Sequence, residues 1–266
     1  MPELPEVETI KNQLLFKIKN KIISQIKVID YHKNVQGNIK QILAQITDVK
    51  RRAKFLIFFL SNGYSFLIHL KMTGQLIYLP KFPDKLKKET HLVFSFSDGS
   101  TLLFNDFRKF GIVKIGKTED LAEFLKKFGP EPLEIKFVQF KSLLLAKSKS
   151  KLKPTLLDQK VISGIGNIYA QEACFLSGIQ PTRRISTLTD LELKKLYNSI
   201  QQVLKAAIKH QGTSFDTIYV TPDGQKGNFD TYLKVYHRDF CPNCNQKLKV
   251  IKLNGRGTYY CEQCQK

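Results

Sequence analysis

Phe55-Leu-Ile-Phe-Phe-Leu60, then Asn62-Gly63, then Tyr64-Ser-Phe-Leu-Ile-His69: this stretch decides the class of the fold. Two short apolar runs rich in aromatic and β-branched residues flank an Asn-Gly pair, the dipeptide best able to adopt the positive φ angles of a tight hairpin turn. The pattern returns downstream, where Leu92-Val-Phe-Ser-Phe96 meets Asp98-Gly99 and then Thr101-Leu-Leu-Phe104. Ahead of both hairpins, Val7, Ile10 and Leu14 recur at helical spacing and predict an amphipathic helix ending near Lys19. The first half therefore reads as an antiparallel β-sandwich with one leading helix.

Gly129-Pro130-Glu131-Pro132-Leu133 is a natural break, and the period changes beyond it. Thr189-x-x-Glu192 has the form of a capping box and leads into Leu193, Leu196, Ile200, Leu204 and Ala207 at helical spacing. Residues 137 to about 210 read as a helical domain, followed by a glycine-bearing, strand-poor stretch from Thr221 to Asn228. The expectation is an α+β chain in three parts, 1–130, 131–225 and 226–266.

The last part carries Cys241-x2-Cys244-x16-Cys261-x2-Cys264, within the spacing range of a tetrahedral structural zinc site. Disulfides are the alternative, disfavoured in a chain read as cytoplasmic. Four thiolates leave no open coordination position, so one zinc ion there is expected to be structural. Cys174 stands apart in an apolar run and reads as a buried thiol. The 266 residues carry a net charge of +20, which attracts polyanions. Only seven of the 43 basic residues are Arg, however, so lysine is used throughout, and the run Lys147-Ser-Lys-Ser-Lys151-Leu-Lys153 reads as solvated. No stretch is apolar enough to span a bilayer, and the N-terminus lacks the layout of a signal peptide, so a soluble cytoplasmic monomer is expected.

The opening, Met1-Pro2-Glu3-Leu4-Pro5-Glu6, carries chemistry. Removal of Met1 leaves Pro2 with a free secondary amine, which forms an iminium on an aldehyde carbon; that cation is an electron sink for elimination. Glu3 and Glu6 lie within one helical turn of it, suited to proton transfer. Taken alone, these residues better suit an ordinary helix start than a reactive site. Three further groupings stand out: Arg51-Arg52-Ala53-Lys54 before a strand; the strand-end loops His69-Leu-Lys-Met72-Thr-Gly74 and Asp106-Phe-Arg108-Lys-Phe110-Gly111; and Gly164-Ile-Gly166-Asn167-Ile-Tyr169, whose small residues let backbone N–H groups approach an anion.

Taken together, MPELPEVET, the two β loops, Leu156-Leu-Asp-Gln-Lys160 through Ala170 and the cysteine module resemble the formamidopyrimidine-DNA glycosylases, in the family's order and over the whole chain. The resemblance implies a bifunctional DNA glycosylase and AP lyase acting on duplex DNA with oxidised purines, and a helix-two-turn-helix domain before a zinc-finger hairpin. It implies Pro2 as nucleophile, Glu3 and Glu6 as its carboxylate partners, and Lys54 and Arg256 as phosphate-gripping catalytic groups. It implies that Met72, Arg108 and Phe110 fill the void left by the flipped lesion, with Arg108 on the orphaned cytosine. His69, His91, Lys160 and Asn167 fall at DNA-contacting positions, although His91 is equally suited to a structural role. The hairpin tip is expected at Gly255-Arg256-Gly257-Thr258, and Thr217 to Tyr232 falls where a loop covers the flipped base. Phe107 stands where the family has Pro, Lys109 where it has Arg, Lys71 where Gly is common, and Glu262 where a basic residue or Pro is common. The sister endonuclease VIII branch, which prefers oxidised pyrimidines, opens Pro-Glu-Gly-Pro-Glu; Leu4 and the Asp106–Gly111 loop favour the purine branch. A DNA-binding relative without catalysis is the other alternative.

Overall fold

The structure, a computed structural model, describes residues 1–215 and 218–266. The chain divides into two compact units: Met1–Lys127 with His210–Asp230, and Phe128–Lys209 with Thr231–Lys266. The expected cuts at 130/131 and 225/226 differ from this division, because the segment 210–230 leaves the helices that precede it and joins the N-terminal unit.

In that first unit, helix α1 (Leu4–Ile18) turns Leu4, Val7, Ile10 and Leu14 into the core, as the spacing predicts. The strands β1 (Ile23–Val28), β2 (Val35–Gln36), β3 (Ile46–Arg52), β4 (Phe55–Leu60), β5 (Tyr64–His69), β6 (Gly74–Leu79), β7 (Thr90–Phe96), β8 (Thr101–Asp106) and β9 (Ile112–Lys117) follow. They form one sheet in the order β1-β7-β8-β6 and another in the order β2-β9-β5-β4-β3. Both predicted hairpins are present, with Phe58 opposite Phe66 and Phe94 opposite Leu102. The one departure from antiparallel pairing among the named strands is the two-residue β2, which runs parallel to β9.

Aromatic packing joins the sheets. Phe58 and Phe66 stack at 4.4 Å between centroids, and Phe66 stacks on Phe94 of the other sheet at 5.6 Å. All three are essentially excluded from water, and each such ring contributes about 1.5–3 kcal/mol through burial. Helix α2 (Thr118–Lys126) closes this part of the unit.

The second unit holds α3 (Phe137–Leu145), α4 (Leu152–Leu157), α5 (Asn167–Ser177) and α6 (Asp190–Lys209), then the hairpin β10 (Lys249–Leu253) and β11 (Arg256–Tyr260). The Thr189 capping box forms as expected: Thr189 N–H donates to Glu192 Oε2 at 2.7 Å, and Glu192 N–H donates to Thr189 Oγ1 at 3.3 Å. Gly129-Pro130 is not a free linker. Gly129 N–H donates to Gln159 O at 2.8 Å, and a Cβ at Gly129 would sit 2.6 Å from Val161 backbone atoms. No described helix is long and apolar enough to cross a membrane.

Phe66→Ala is expected to cost about 3–5 kcal/mol of stability in denaturant unfolding, because the ring is sandwiched on both faces. Thr189→Ala should cost about 1 kcal/mol by removing the cap of α6.

Candidate active site and nucleic-acid interface

Pro2, Glu3 and Glu6 are all buried at the start of α1. Glu3 N–H donates to Glu6 Oε2 at 2.8 Å, the reciprocal turn that fixes a helix entry. The other oxygen of the same carboxylate, Glu6 Oε1, accepts from Thr213 N–H at 2.8 Å. Gly212 makes this approach possible: its φ is +79° and a Cβ there would lie 2.6 Å from Glu6 Oε1. The 210–230 segment is secured further by Asn228 N–H on His210 O, Phe229 N–H on Gly212 O and Tyr78 N–H on Pro222 O. Glu6 therefore acts as a clasp with both oxygens engaged, and the Glu3 carboxylate in turn accepts from the Glu6 backbone N–H. Burial and the neighbouring Glu6 both push the Tyr219 hydroxyl pKa up, so it stays protonated beside the clasp. Thr217 lies outside the described residues.

Lys54 sits in the tight turn between β3 and β4, where Ala53 takes φ +54°. Arg51 supports that turn, donating to Glu8 Oε2 of α1 at 2.6 Å and to Ala53 O at 2.9 Å. Burial works to raise the Glu8 pKa, but hydrogen bonds from Lys11 and Arg51 hold it below the usual carboxylate range. His69 packs edge-on against Phe55 at 4.7 Å, and its Nδ1 accepts from Lys71 N–H at 3.0 Å. Burial, then the charges of Lys71 and Lys54, push its pKa down to about 3, so the ring is neutral at physiological pH. Lys71, standing where the family favours Gly, takes φ +51°.

The two β loops are brought together. Arg108 lies over the Phe110 ring at 4.6 Å and its Nη1 is 3.2 Å from Met72 Sδ. Met72 and Phe110 stay exposed although both are large and apolar. What holds them is Asp106, which sequence reasoning did not single out for this role. Its buried carboxylate accepts from Tyr31 OH at 2.8 Å, Gly111 N–H at 2.7 Å, Arg108 N–H at 3.3 Å and the Thr73 hydroxyl. One side chain thus ties the Met72 loop to the Arg108–Phe110 loop. His91 is buried, stacks on Tyr31 at 5.5 Å and approaches Asp106 O at 3.0 Å through Nε2. The structural alternative for His91 describes this placement better than an exposed phosphate contact.

In the second unit, Asn167 opens α5 and its amide donates to Gly257 O at 3.4 Å, next to Arg256. Lys160 is exposed on the preceding turn. Gln159 staples that turn, donating to Leu157 O at 3.0 Å and Ile165 O at 2.8 Å and accepting from Gly164 N–H at 2.9 Å. The hairpin turn falls at Asn254-Gly255, with φ +46° and +76°, one residue before the expected tip; Arg256 opens β11 and is exposed. Lys153, expected to be solvated, is instead buried: its ammonium donates to Thr258 Oγ1 at 2.6 Å and Gly257 O at 3.2 Å. A cleft of about 220 Å³ lined by Lys153, Asp158, Asn254 and Arg256 lies beside it. Gln171 and Glu172 of α5 also hold this part of the chain. Gln171 Oε1 accepts from Tyr259 N–H at 2.6 Å. Glu172 accepts from the N–H groups of Lys234, Val235 and Tyr236 at 2.7, 3.0 and 2.9 Å.

The four cysteine sulfurs lie within 4.8 Å of one another, with Cys241–Cys264 at 3.8 Å and Cys244–Cys261 at 3.5 Å. A zinc ion with bonds of about 2.3 Å places tetrahedral thiolates about 3.8 Å apart, so the donors fit in chemistry and spacing.

Residues 1–113 match the family model of the formamidopyrimidine-DNA glycosylase N-terminal domain. Residues 128–218 match the formamidopyrimidine-DNA glycosylase H2TH domain, and residues 236–266 match a zinc finger found in FPG and IleRS. The chain is 40% identical over 276 residues to a formamidopyrimidine-DNA glycosylase of Desulfitobacterium hafniense, covering 100% of both. It is 38% identical to that of Pelotomaculum thermopropionicum, covering 100% of this chain and 99% of the relative. Among solved structures, wild-type Lactococcus lactis Fpg with an N7-benzyl-Fapy-dG DNA superposes with a TM-score of 0.91 at 32% identity, covering 99% of each chain. The MutM (FPG) protein of Thermus thermophilus gives 0.90 at 35% identity, covering 99% of this chain and 98% of that one.

Acid should weaken the fold through His69. An unfolded histidine titrates near 6.5 and the folded one near 3, so between these values the unfolded state binds the extra proton. Stability from this group is complete above about pH 6.5 and falls as pH drops toward 3; His69→Gln should flatten part of that slope in thermal melts.

Proposed function

Because the chain belongs to the formamidopyrimidine-DNA glycosylase family, we propose that its Pro2 amine, freed by removal of Met1, excises oxidised purines from duplex DNA and cleaves the resulting abasic site. The observation that carries this reading is the start of α1. Pro2 is followed by a helix entry whose backbone is fixed by Glu6, and Glu3 is held beside it. The Pro2 nitrogen forms a bond to C1′ as the glycosidic bond breaks and the base departs with the electron pair and takes up a proton. Glu3 delivers a proton to O4′, the sugar ring opens, and the nitrogen sheds its proton to leave an iminium ion. Loss of a C2′ proton then expels the 3′ phosphate, and a second elimination expels the 5′ phosphate. Water releases the sugar fragment and regenerates the amine.

Lys54, on its braced turn, would grip a phosphate in this reading. Asn167, Lys160 and Arg256 would hold the lesion strand, while Met72, Arg108 and Phe110 would fill the void left by the flipped nucleotide. His69 would serve as a neutral contact, and His91 as a brace for the wedge loops. One structural zinc ion on Cys241, Cys244, Cys261 and Cys264 would hold the hairpin that presents Arg256. The protein would act as a cytoplasmic monomer.

A duplex with 8-oxoguanine opposite cytosine, mixed with the protein and then borohydride, should yield a covalent complex. Pro2→Gly should reduce it by about 100-fold or more while the cysteines stay intact. Trapping only on an oxidised-pyrimidine duplex would move the protein to the endonuclease VIII branch; binding without trapping on either would leave a DNA-binding protein. Stripping the metal with a chelator should release about one zinc per chain and weaken DNA binding without unfolding the β-sandwich.

A further inference from the structure

Lys54 takes the second place in a two-residue turn between Arg52 and Phe55, which pair across β3 and β4. The first place, Ala53, has φ +54°, in the left-handed region that a residue with a Cβ keeps only when its surroundings hold it there. Arg51 supplies the hold. Its side chain is 6% exposed. Its Nη1 donates to the Ala53 carbonyl at 2.9 Å, and its Nε donates to Glu8 Oε2 at 2.6 Å. That carbonyl belongs to the peptide leading into Lys54, so the bond acts on the plane from which the lysine side chain departs.

Glu8 is fixed in its turn. Its Oε1 is 2.6 Å from Lys11 Nζ, three residues along α1, so both carboxylate oxygens are engaged. Glu8 lies on the helix that opens directly after Pro2 and Glu3. A line of contacts therefore runs from α1 through Glu8 and Arg51 to the Ala53 carbonyl and the base of Lys54. Lys54 itself is buried, and its charge lies close enough to His69 to help keep that ring neutral. A long side chain packed in this way takes its direction from the backbone beneath it.

We propose that Glu8 and Arg51 are positioning residues for Lys54: they set the Ala53-Lys54 turn relative to the start of α1 and so aim the ammonium at the phosphate it is to hold. The proposal rests on the reading of Lys54 as a phosphate-gripping group. Neither Glu8 nor Arg51 is asked to touch DNA. Their removal works against the trend of charge. Glu8→Gln makes a chain of net charge +20 more positive by one, which by field alone strengthens DNA binding, whereas loss of the clamp weakens it. Arg51→Lys keeps the charge but replaces a planar fork with a single ammonium, which cannot reproduce the two bonds together.

The test is titration of a duplex carrying a stable abasic analogue opposite cytosine, between about 50 and 200 mM salt. One lost phosphate contact makes the dependence of log K on log salt shallower by about 0.9, and Lys54→Ala is expected to show that change. Glu8→Gln and Arg51→Lys should each show about half of it or more, with weaker binding at the lowest salt. The double variant Glu8→Gln/Lys54→Ala should bind no more weakly than Lys54→Ala alone, because both changes remove one contact. Thermal melts are run on each variant, and should one prove unfolded the comparison is made with the other. Glu8→Gln binding as tightly as wild type, or a loss that adds in full to that of Lys54→Ala, would overturn the proposal. If Lys54→Ala leaves the salt dependence unchanged, the phosphate reading of Lys54 fails and the clamp with it. If Lys54→Ala alone changes it, only the clamp fails. Borohydride trapping of wild type on 8-oxoguanine reports separately on the repair reading.

Discussion

The site at the amino terminus depends on one carboxylate accepting two backbone hydrogen bonds from opposite directions. Glu6 holds Glu3 N–H on one oxygen and Thr213 N–H on the other, the latter 207 residues away in the chain. A buried carboxylate is tolerated only when its oxygens are satisfied, and here satisfying them sets the angle at which residues 2 and 3 enter the helix. Gly212 is required by the same bond, since any side chain there would occupy the space of the carboxylate. The chemistry proposed for Pro2 is ordinary for a secondary amine; what the protein would contribute is position.

A second carboxylate repeats the device at the Met72 and Arg108–Phe110 loops. Asp106 binds groups from residues 31, 73, 108 and 111, so loops that are short and exposed behave as one piece. The two aspects are complementary. Glu6 orients the group proposed to react, and Asp106 orients the groups proposed to replace the base that leaves. Neither carboxylate needs to touch DNA to matter.

The strands visible in the sequence were β4, β5, β7 and β8, and they occupy inner positions in their sheets, where both faces are buried and the runs are nearly all apolar. Strands β1, β3 and β6 lie at sheet edges, and their mixed sequences, such as Ile-Thr-Asp-Val-Lys-Arg-Arg, hide the period because solvent takes one side. The candidate site residues that the resemblance points to could be picked out because they sit in short contiguous motifs. Asp106 as a clasp and Thr213 as the partner of Glu6 were not, because their roles are made by residues scattered along the chain. Lys153 was misjudged for a related reason: a lysine-rich stretch looks solvated until a hairpin a hundred residues later covers one member.

The return of residues 210–230 to the N-terminal unit has a consequence for how the protein is made. The first residues to leave the ribosome cannot complete their own fold until the chain has grown past Thr213, so the oldest part of the polypeptide waits for residues made much later. Pro2 is buried in the finished structure. Removal of Met1, which the proposed chemistry requires, would therefore have a window set by the synthesis time of some two hundred intervening residues at roughly 5–20 per second. The discontinuous unit thus leaves time for the proposed maturation of Pro2 before the fold closes over it.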